Sequence, residues 1–425
     1  RIRFRPPMGG RMPEKRIVLR NCGVVDPKDL SSYLAAGGFK AFLKARDSMT
    51  PDRIVDEITK SGLAGRGGAG FSCGFKWALA RKSRSAKKYL ICNADEGEVG
   101  TFKDRYILTH DPFGLIEGMA IAGLAIGADR GFIYLREEYR YLLEPMNNAL
   151  SQCRRKGFLA HMDITVFEGA GAYICGEESA LMNSIEGLRG ESRFKPPYPP
   201  GQGLWQHPTI INNVETLMNV PYIIDNGADA YSAVGTDRSK GTKVFSVSGD
   251  VLHPGVYEMP MGTPLKELVI DLAGAEDVKA VQVGGATGNI LPADRIDTPL
   301  SQETVLGAGA VVVLNHTRDI IDIVHNNMVF LHEESCGKCT PCRDGLACMV
   351  GIYGRLLNGE GTREDIRVLK SLSQVMGQAS LCGLGQAAPV PVMDSLRYFR
   401  EEYDALIQKA AYVRHYATKG LSTTL

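Results

Sequence analysis

From residue 87 to residue 235 short strand-like runs alternate with stretches of helical periodicity, and no other feature limits the fold of this chain so strongly. "KKYLIC", "RGFIYL" and "DITVFEG" are rich in β-branched and aromatic residues, and "FGLIEGMAIAGLAIGA" and "YLLEPMNNALSQCRRKG" between them have helical length and spacing. Alternation of this kind is the mark of an α/β layer architecture. The segment is predicted to form a layered α/β domain, the largest of the molecule.

Around it the texture changes. "DPKDLSSYLAAGGFKAFLKA" and "MTPDRIVDEITKSGLAG" carry apolar residues at helical spacing, the second with Thr50 placed as an N-cap and Pro51 in the first turn. Between 241 and 316 the segments "TKVFSVSG", "GVYEMP", "VKAVQVGG" and "GAVVVLN" surround one helical run, "TPLKELVIDLAG", so a small β-rich module is expected. From Asp319 the pattern is helical, and "TREDIRVLKSLSQVMG" opens with a T-x-x-D form related to the capping box. The expected regions are an N-terminal linker with helices (1–60), the α/β domain (61–238), the β-rich module (239–318) and a helical domain (319–425). At 425 residues and 44% hydrophobic content the chain has apolar material for several cores. Its opening "RIRFRPPMGGRMPEKR" is broken by Pro-Pro and Gly-Gly, and reads as a linker whose upstream part is missing rather than a targeting helix.

Charge and hydropathy narrow the functions. Lys and Arg number 49 against 48 Asp and Glu, a net +1 that offers nothing to hold nucleic acid. The runs "MAIAGLAIGA" and "VLGAGAVVVL" fall short of the about 20 residues a membrane-crossing helix takes, so direct insertion is not expected. Ten scattered cysteines make no disulfide scaffold, and one local group among them points to metal binding in a reducing cytoplasm.

That group is "ESCGKCTPCRDG", where Cys336, Cys339 and Cys342 form C-x2-C-x2-C. Structural zinc usually takes two separated pairs, whereas a cubic iron–sulfur cluster suits a triplet with one distant cysteine; zinc and redox thiols are the alternatives. Two residues compete as fourth ligand. Cys348 falls among Leu346, Val350 and Tyr353 and reads as a small buried hydrophobe of that helix. Cys382, in "SLCGLG", has glycines that let the backbone approach cluster sulfurs, and is the one chosen. Cys22, Cys73, Cys92, Cys153 and Cys175 read as structural.

In "AGRGGAGF", Gly65, Gly67 and Gly70 satisfy G-x-G-x-x-G, but the dinucleotide fingerprint needs a strand before it, and here a helical pattern precedes and the strand follows. No Lys-Ser or Lys-Thr makes it a P-loop. It remains a bare loop able to lie against a ring or phosphate, flanked by Arg66 and Lys76. Further candidates are "YLICNADEGEVGTFKDR", a strand running into Asn93, Asp95, Glu96 and Glu98; "GAGAYICGEESALMNSIEG", read as strand into helix; and the proline-stiffened "RFKPPYPPGQGLWQHPTIINNVETL" leading to Asn212 and Asn213.

Taken together, "GRGGAGF", "CNADEGEVGTFKDR", "GAGAYICGEES", "KPPYP", "NNVET", "ESCGKCTPCR" and "LCGLG" resemble, in this order, the NADH-binding flavoprotein subunit of respiratory complex I and the diaphorase subunits of soluble NAD-linked hydrogenases and formate dehydrogenases. The resemblance implies an α/β fold: a Rossmann-like FMN domain with a non-standard glycine-rich loop, then a ubiquitin-like β-grasp module and a C-terminal helical bundle holding a [4Fe-4S] cluster. It implies that Gly65, Arg66, Gly67, Gly68, Gly70, Lys76, Asn93, Asp95, Glu96, Tyr173, Gly176, Glu177, Asn212 and Asn213 surround FMN. Phe71, Glu98, Glu178, Lys195 and Tyr198 would contact NAD(H), with Glu178 orienting the nicotinamide, and Cys336, Cys339, Cys342 and Cys382 would hold the cluster.

The implied activity is reversible electron transfer from NADH through FMN to the cluster, with no side chain acting as acid or base. The implied partners are other iron–sulfur subunits: a [2Fe-2S] thioredoxin-like subunit and the catalytic subunit of a hydrogenase, formate dehydrogenase or complex I. Complex I sequences commonly read "ADESEPGTFKDR"; Gly97 here looks more like the soluble diaphorases, and Val99 departs from the usual proline of both. Two rivals from other classes are a hydro-lyase that leaves one iron open, making Cys382 dispensable, and an assembly subunit whose cluster never turns over.

Overall fold

The computed structural model describes residues 16–418, so the linker reading of residues 1–15 lies outside the described residues. Strands β1 (Tyr89–Ala94), β2 (Arg130–Leu135), β3 (Asp163–Glu168) and β4 (Thr209–Asn213) form a wholly parallel sheet in the order β3-β2-β1-β4. The first three match the strands read from sequence. The fourth hides in "HPTIINN": it is five residues long and buried along both faces, so it shows no alternation. A second departure is "GAGAYICG", expected as a strand; Tyr173–Gly176 is instead a single tight helical turn.

Helix Pro112–Ile126 joins β1 to β2, capped by Asp111, whose carboxylate accepts from the Gly114 N–H at 2.9 Å. It is apolar all round because every side of it is covered, by the sheet and by helices Lys40–Ser48 and Val214–Asn226. Helix Pro51–Lys60 begins as its sequence predicts, with Thr50 accepting from the Arg53 N–H.

The next five strands are β5 (Thr242–Gly249), β6 (Gly255–Pro260), β7 (Val278–Val283), β8 (Asn289–Pro292) and β9 (Ala310–Asn315). They pair in the order β6-β5-β9-β7-β8, with only β5 and β9 parallel. The four-residue β8 was not legible, and the helical run between β6 and β7 is of the wide π type over Glu267–Leu272. Leu265, Leu268 and Val269 press it into a separate small core.

From Ile320 the chain is helical: Ile320–Glu334, Thr340–Leu357, Arg363–Ala379, Gly383–Ala387, Pro389–Tyr398 and Arg400–Thr418. The expected cap at Thr362 is a full reciprocal box with Asp365. These helices share a core with the second face of the parallel sheet, through Ile91, Tyr134, Ile174 and Leu181. Among the described residues no helix is long and apolar enough to cross a membrane. One correction falls here. Cys348 is exposed rather than packed, because Leu346, Met349 and Tyr353 define the buried stripe of its helix and residue 348 lies off that stripe.

Candidate functional site

The glycine loop is a closed hairpin: Ala64 bridges Ser72, and the Gly65 N–H donates to the Phe71 carbonyl at 2.8 Å. It lies over the carboxyl end of β4, where a Cβ at Gly67 would crowd Asn213 Cβ at 3.1 Å. The ends of β1 and β4, the turn at Tyr173–Gly176 and the start of helix Glu178–Ile185 therefore meet at one edge of the sheet, the edge at which parallel α/β sheets bind ligands.

Around this edge Asn93 Nδ2 donates to the Gly176 carbonyl at 2.9 Å, and Lys76 Nζ to the Ile211 carbonyl at 2.6 Å. Asn212 Oδ1 accepts from Trp77 Nε1 at 2.9 Å. Glu177 caps its helix and pairs with Lys195 at 3.0 Å, while Lys195 also reaches Glu178 at 2.7 Å. Glu98 accepts from the Tyr173 hydroxyl at 2.8 Å and from the Ala286 N–H at 2.7 Å, tying this edge to the β-rich module. Gly97 is required by close approach: a Cβ there would sit 2.7 Å from Arg136 Nη1 and 2.9 Å from the Tyr173 ring. Phe71 and Tyr198 are exposed aromatic rings.

Three of the expected flavin residues are placed differently from the rest. The Arg66 guanidinium turns inward, donating to the carbonyls of Ala64, Lys240 and Thr242 and to the Tyr231 hydroxyl, and its backbone N–H donates to Thr216 Oγ1 at 2.9 Å, so the whole residue is buried. Glu96 accepts from the Asp104 and Arg105 N–H groups and the Tyr139 hydroxyl, which makes it the anchor of helix Lys103–His110. Asn213 caps helix Val214–Asn226 and donates to Asp104. Phe75, which the sequence did not single out, is an exposed ring 5.8 Å from Phe71, in the first turn of the helix that follows the loop.

Asp95 tests whether a polar ligand fits here. Its Oδ2 is buried with no hydrogen-bond partner among the described residues, and a buried orphan acceptor of this kind asks for a donor from a ligand. The FMN ribityl chain has such hydroxyl groups. Burial pushes the Asp95 carboxyl up to about 7, with Arg136 opposing. The native chain thus retains a proton that the unfolded chain has released, and stability falls as pH rises from the ordinary carboxylate range through about 7. Asp95→Asn is expected to raise the denaturation midpoint of the flavin-free protein at pH 8 and to leave it nearly unchanged at pH 4.

A cavity adjoins this edge. It is lined by Ile174, Ser192, Ser335, Lys338, Leu381 and Leu384 together with Cys336, Cys339, Cys342 and Cys382. The C-x2-C-x2-C loop wraps from the end of helix Ile320–Glu334 into the first turn of Thr340–Leu357, and Cys382 enters as the N-cap of Gly383–Ala387. The donor set is thiol throughout, as iron–sulfur clusters prefer. The four thiols line the cavity without converging: among the described residues no three His, Cys, Asp or Glu side chains group around a single ion. Sulfurs spread around a space suit a body with several corners. Donors surround them: the Leu381 N–H lies 3.5 Å from Cys339 Sγ, Ser335 Oγ 3.3 Å from Cys342 Sγ, and Ser380 Oγ is buried without a partner among the described residues. Gly385 too is required by close approach, since a Cβ would meet Ser380 Oγ at 2.6 Å and Cys342 Cβ at 2.8 Å. Burial raises the Cys342 thiol to about 11 in the absence of a metal charge. The other five cysteines are buried and free, as read.

The sheet edge and the cysteine cavity share a wall. Ile174 follows Tyr173 directly, the Tyr173 N–H donates to Glu334 at 2.8 Å, and the Tyr173 ring packs 5.1 Å from Phe330.

Residues 58–222 match the Nuo51 FMN-binding domain, and residues 322–406 match the NADH-ubiquinone oxidoreductase-F iron–sulfur binding region. The first match covers the sheet edge and the second the cysteine triplet and Cys382. The chain belongs to the family that includes the F component of NADH-quinone oxidoreductase and subunits of NAD-reducing hydrogenases. It is 41% identical to the NADP-reducing hydrogenase subunit HndC of Solidesulfovibrio fructosivorans over 96% of this chain and 87% of that one. It is 40% identical to the F component of NADH-quinone oxidoreductase from Escherichia coli K12, over 90% of this chain and 91% of that one. Among solved structures it superposes on a chain of the air-oxidized NAD+-reducing [NiFe]-hydrogenase with a TM-score of 0.84 and 41% identity, over 93% of this chain and 72% of that one.

Proposed function

We propose that the chain is the diaphorase subunit of a larger oxidoreductase, taking electrons from NADH onto FMN and passing them to a [4Fe-4S] cluster, reversibly. The observation that carries this is the shared wall: a polar, glycine-lined sheet edge and a four-cysteine cavity lie on opposite sides of one tight turn. When bound, FMN supplies the exchange between two-electron hydride chemistry and one-electron chemistry. The chain's own residues bind and orient. The glycine loop gives close backbone approach, Asn93 and Asp95 offer polar contacts at the β1 end, and Phe71 with Tyr198 gives aromatic surface for adenine. Glu98, Glu178 and Lys195 hold the ribose and amide side of the nucleotide, and productive stacking is their contribution to rate.

The domain division follows the same reading: an FMN domain over 61–238, a β-grasp module over 239–318, supported by a strand order of second, first, fifth, third, fourth, and a cluster domain from 319. The partners we infer are an iron–sulfur subunit that takes single electrons and the catalytic subunit of a hydrogenase, formate dehydrogenase or complex I. Carboxylates at the ribose side favour NAD over NADP. Anaerobically purified protein is expected to show flavin and cluster absorbance that NADH bleaches within the mixing time and NADPH bleaches more slowly. A colourless protein, or a spectrum indifferent to NADH, defeats the proposal; a higher kcat/KM with NADPH defeats the NAD preference alone.

A further inference from the structure

We propose that the cleft between the glycine loop and the β-rich module is a phosphate site, with Arg238 and Gln302 as its binding residues. This rests on the reading of the chain as an FMN- and NAD(H)-binding subunit, and the group recognised is a phosphate oxygen, of FMN or of the NAD(H) pyrophosphate.

Both ligands carry phosphate, yet three cations of the sheet edge are committed elsewhere. Arg66 is spent on four internal acceptors, Lys76 on the Ile211 carbonyl, and Lys195 on Glu177 and Glu178. The glycine loop has a second face. Gly67 crowds Asn213 at the sheet edge, whereas a Cβ at Gly68 would lie 3.7 Å from the Ala308 nitrogen and one at Gly70 3.2 Å from Gln302 Nε2, both in the β-rich module. A cleft of about 430 Å³ opens there, lined by Gly65 and Gly68 to Gly70 on one side and by Arg238 and residues 302–307 on the other. That volume suits a small-molecule site.

The donors of the cleft have no acceptors. Arg238 is exposed, and its guanidinium has no partner among the described residues. Gln302 is anchored by its backbone N–H, which donates to Ser239 Oγ at 3.1 Å, but its Nε2 is buried without a partner among the described residues. The N–H groups of Gly68, Ala69 and Gly70 are likewise without partners among the described residues. The backbone alternates in hand across them, with φ +119° at Gly68, +64° at Gly70 and no positive value at Ala69. Successive N–H groups in alternating backbone make an anion-binding concavity. Glu303, the carboxylate of the lining, does not neutralise Arg238: its Oε1 accepts from the Thr236 hydroxyl at 2.8 Å and its Oε2 from the Ser239 hydroxyl. It thereby ties the module to the turn that carries Arg238, itself closed by a bridge between Gly235 and Lys240. An arginine fork, an amide and bare backbone donors together match an oxyanion.

The test has two arms on the full-length chain: FMN affinity of flavin-free protein by fluorescence quenching, and NAD+ affinity of FMN-saturated protein by calorimetry. Arg238→Gln and Gln302→Met are each expected to weaken one of the two ligands about tenfold, the loss of a hydrogen bond to a charged group. Gln302→Glu is expected to weaken the same ligand further, because a carboxylate then faces the phosphate. Weaker FMN with parent NAD+ affinity assigns the FMN phosphate, and weaker NAD+ with parent FMN affinity assigns the pyrophosphate; either supports the proposal. Parent affinity for both ligands in Arg238→Gln overturns it, and that variant keeps its fold because the side chain is exposed. Gln302→Glu no weaker than Gln302→Met also overturns it, because the position then serves packing alone. If the unmodified chain binds neither ligand, the reading beneath this one fails before any variant is compared.

Discussion

Glu215→Gln is expected to destabilise the protein by about 3–5 kcal/mol, the usual cost of removing one member of a buried ion pair. Glu215 starts helix Val214–Asn226, and its side chain is fully buried between the parallel sheet and the β-rich module. Its Oε2 lies 2.6 Å from Lys243 Nζ and 3.0 Å from Lys103 Nζ, and its Oε1 accepts the Val244 N–H at 2.8 Å. Burial works to raise this carboxyl, but Lys243 and Lys103 together hold it below the ordinary range. Burial pulls Lys243 down to about 7 against the attraction of Glu215.

With glutamine in place, Lys103 still has Asp104 at 2.7 Å, whereas Lys243 loses the carboxylate it is paired with. The variant's Lys243 then gives up its proton at lower pH than the parent's, so the deficit is largest in mild acid and shrinks as pH rises through about 7. Chemical denaturation of flavin-free protein reads this directly. A midpoint within error of the parent at pH 6 would show that the pair contributes nothing. Adding Lys243→Met to Glu215→Gln is expected to recover part of the loss, because the stranded ammonium is gone.

Sequence showed the elements with strong local signals and little of what joins them. The capping box at Thr362, the N-cap at Thr50 and the strands β1 to β3 were readable because each is written in contiguous residues of a fixed period. β4 was not, since a short strand buried on both faces has no alternation to see. The cysteine triplet was legible because C-x2-C-x2-C places three thiols on one short contiguous loop. Cys348 was misread because period-3.6 spacing tolerates a neighbouring position until the helix is actually packed. Glu215 had no local signal at all. Its lysine partners Lys243 and Lys103 are 28 and 112 residues away, and only the assembled fold shows a carboxylate between them. Arg66 illustrates the reverse error: a basic residue in a glycine loop invites a phosphate, but this one is spent on four internal acceptors.

Cys382→Ser is expected to abolish the four-iron EPR signal and to lower electron transfer from NADH to the partner subunit by about 100-fold or more. NADH–ferricyanide reduction should persist, because the proposed flavin site at the sheet edge contains none of the four cysteines. The proposal of Cys382 as fourth ligand has two supports. Cys382 lines the cavity wall with the triplet, and it packs against the buried core of the helical region. Cys348 meets neither condition: it lies on the exposed side of its helix and takes no part in the cavity wall, so Cys348→Ser should leave both the signal and the rate unchanged. The pair of variants also separates electron transfer from lyase chemistry. A lyase keeps one iron free of protein and works with three cysteines, so retained cluster and retained activity in Cys382→Ser would move the assignment to that class, whereas loss of partner reduction with an intact flavin half-reaction places the cluster after the flavin in a single path.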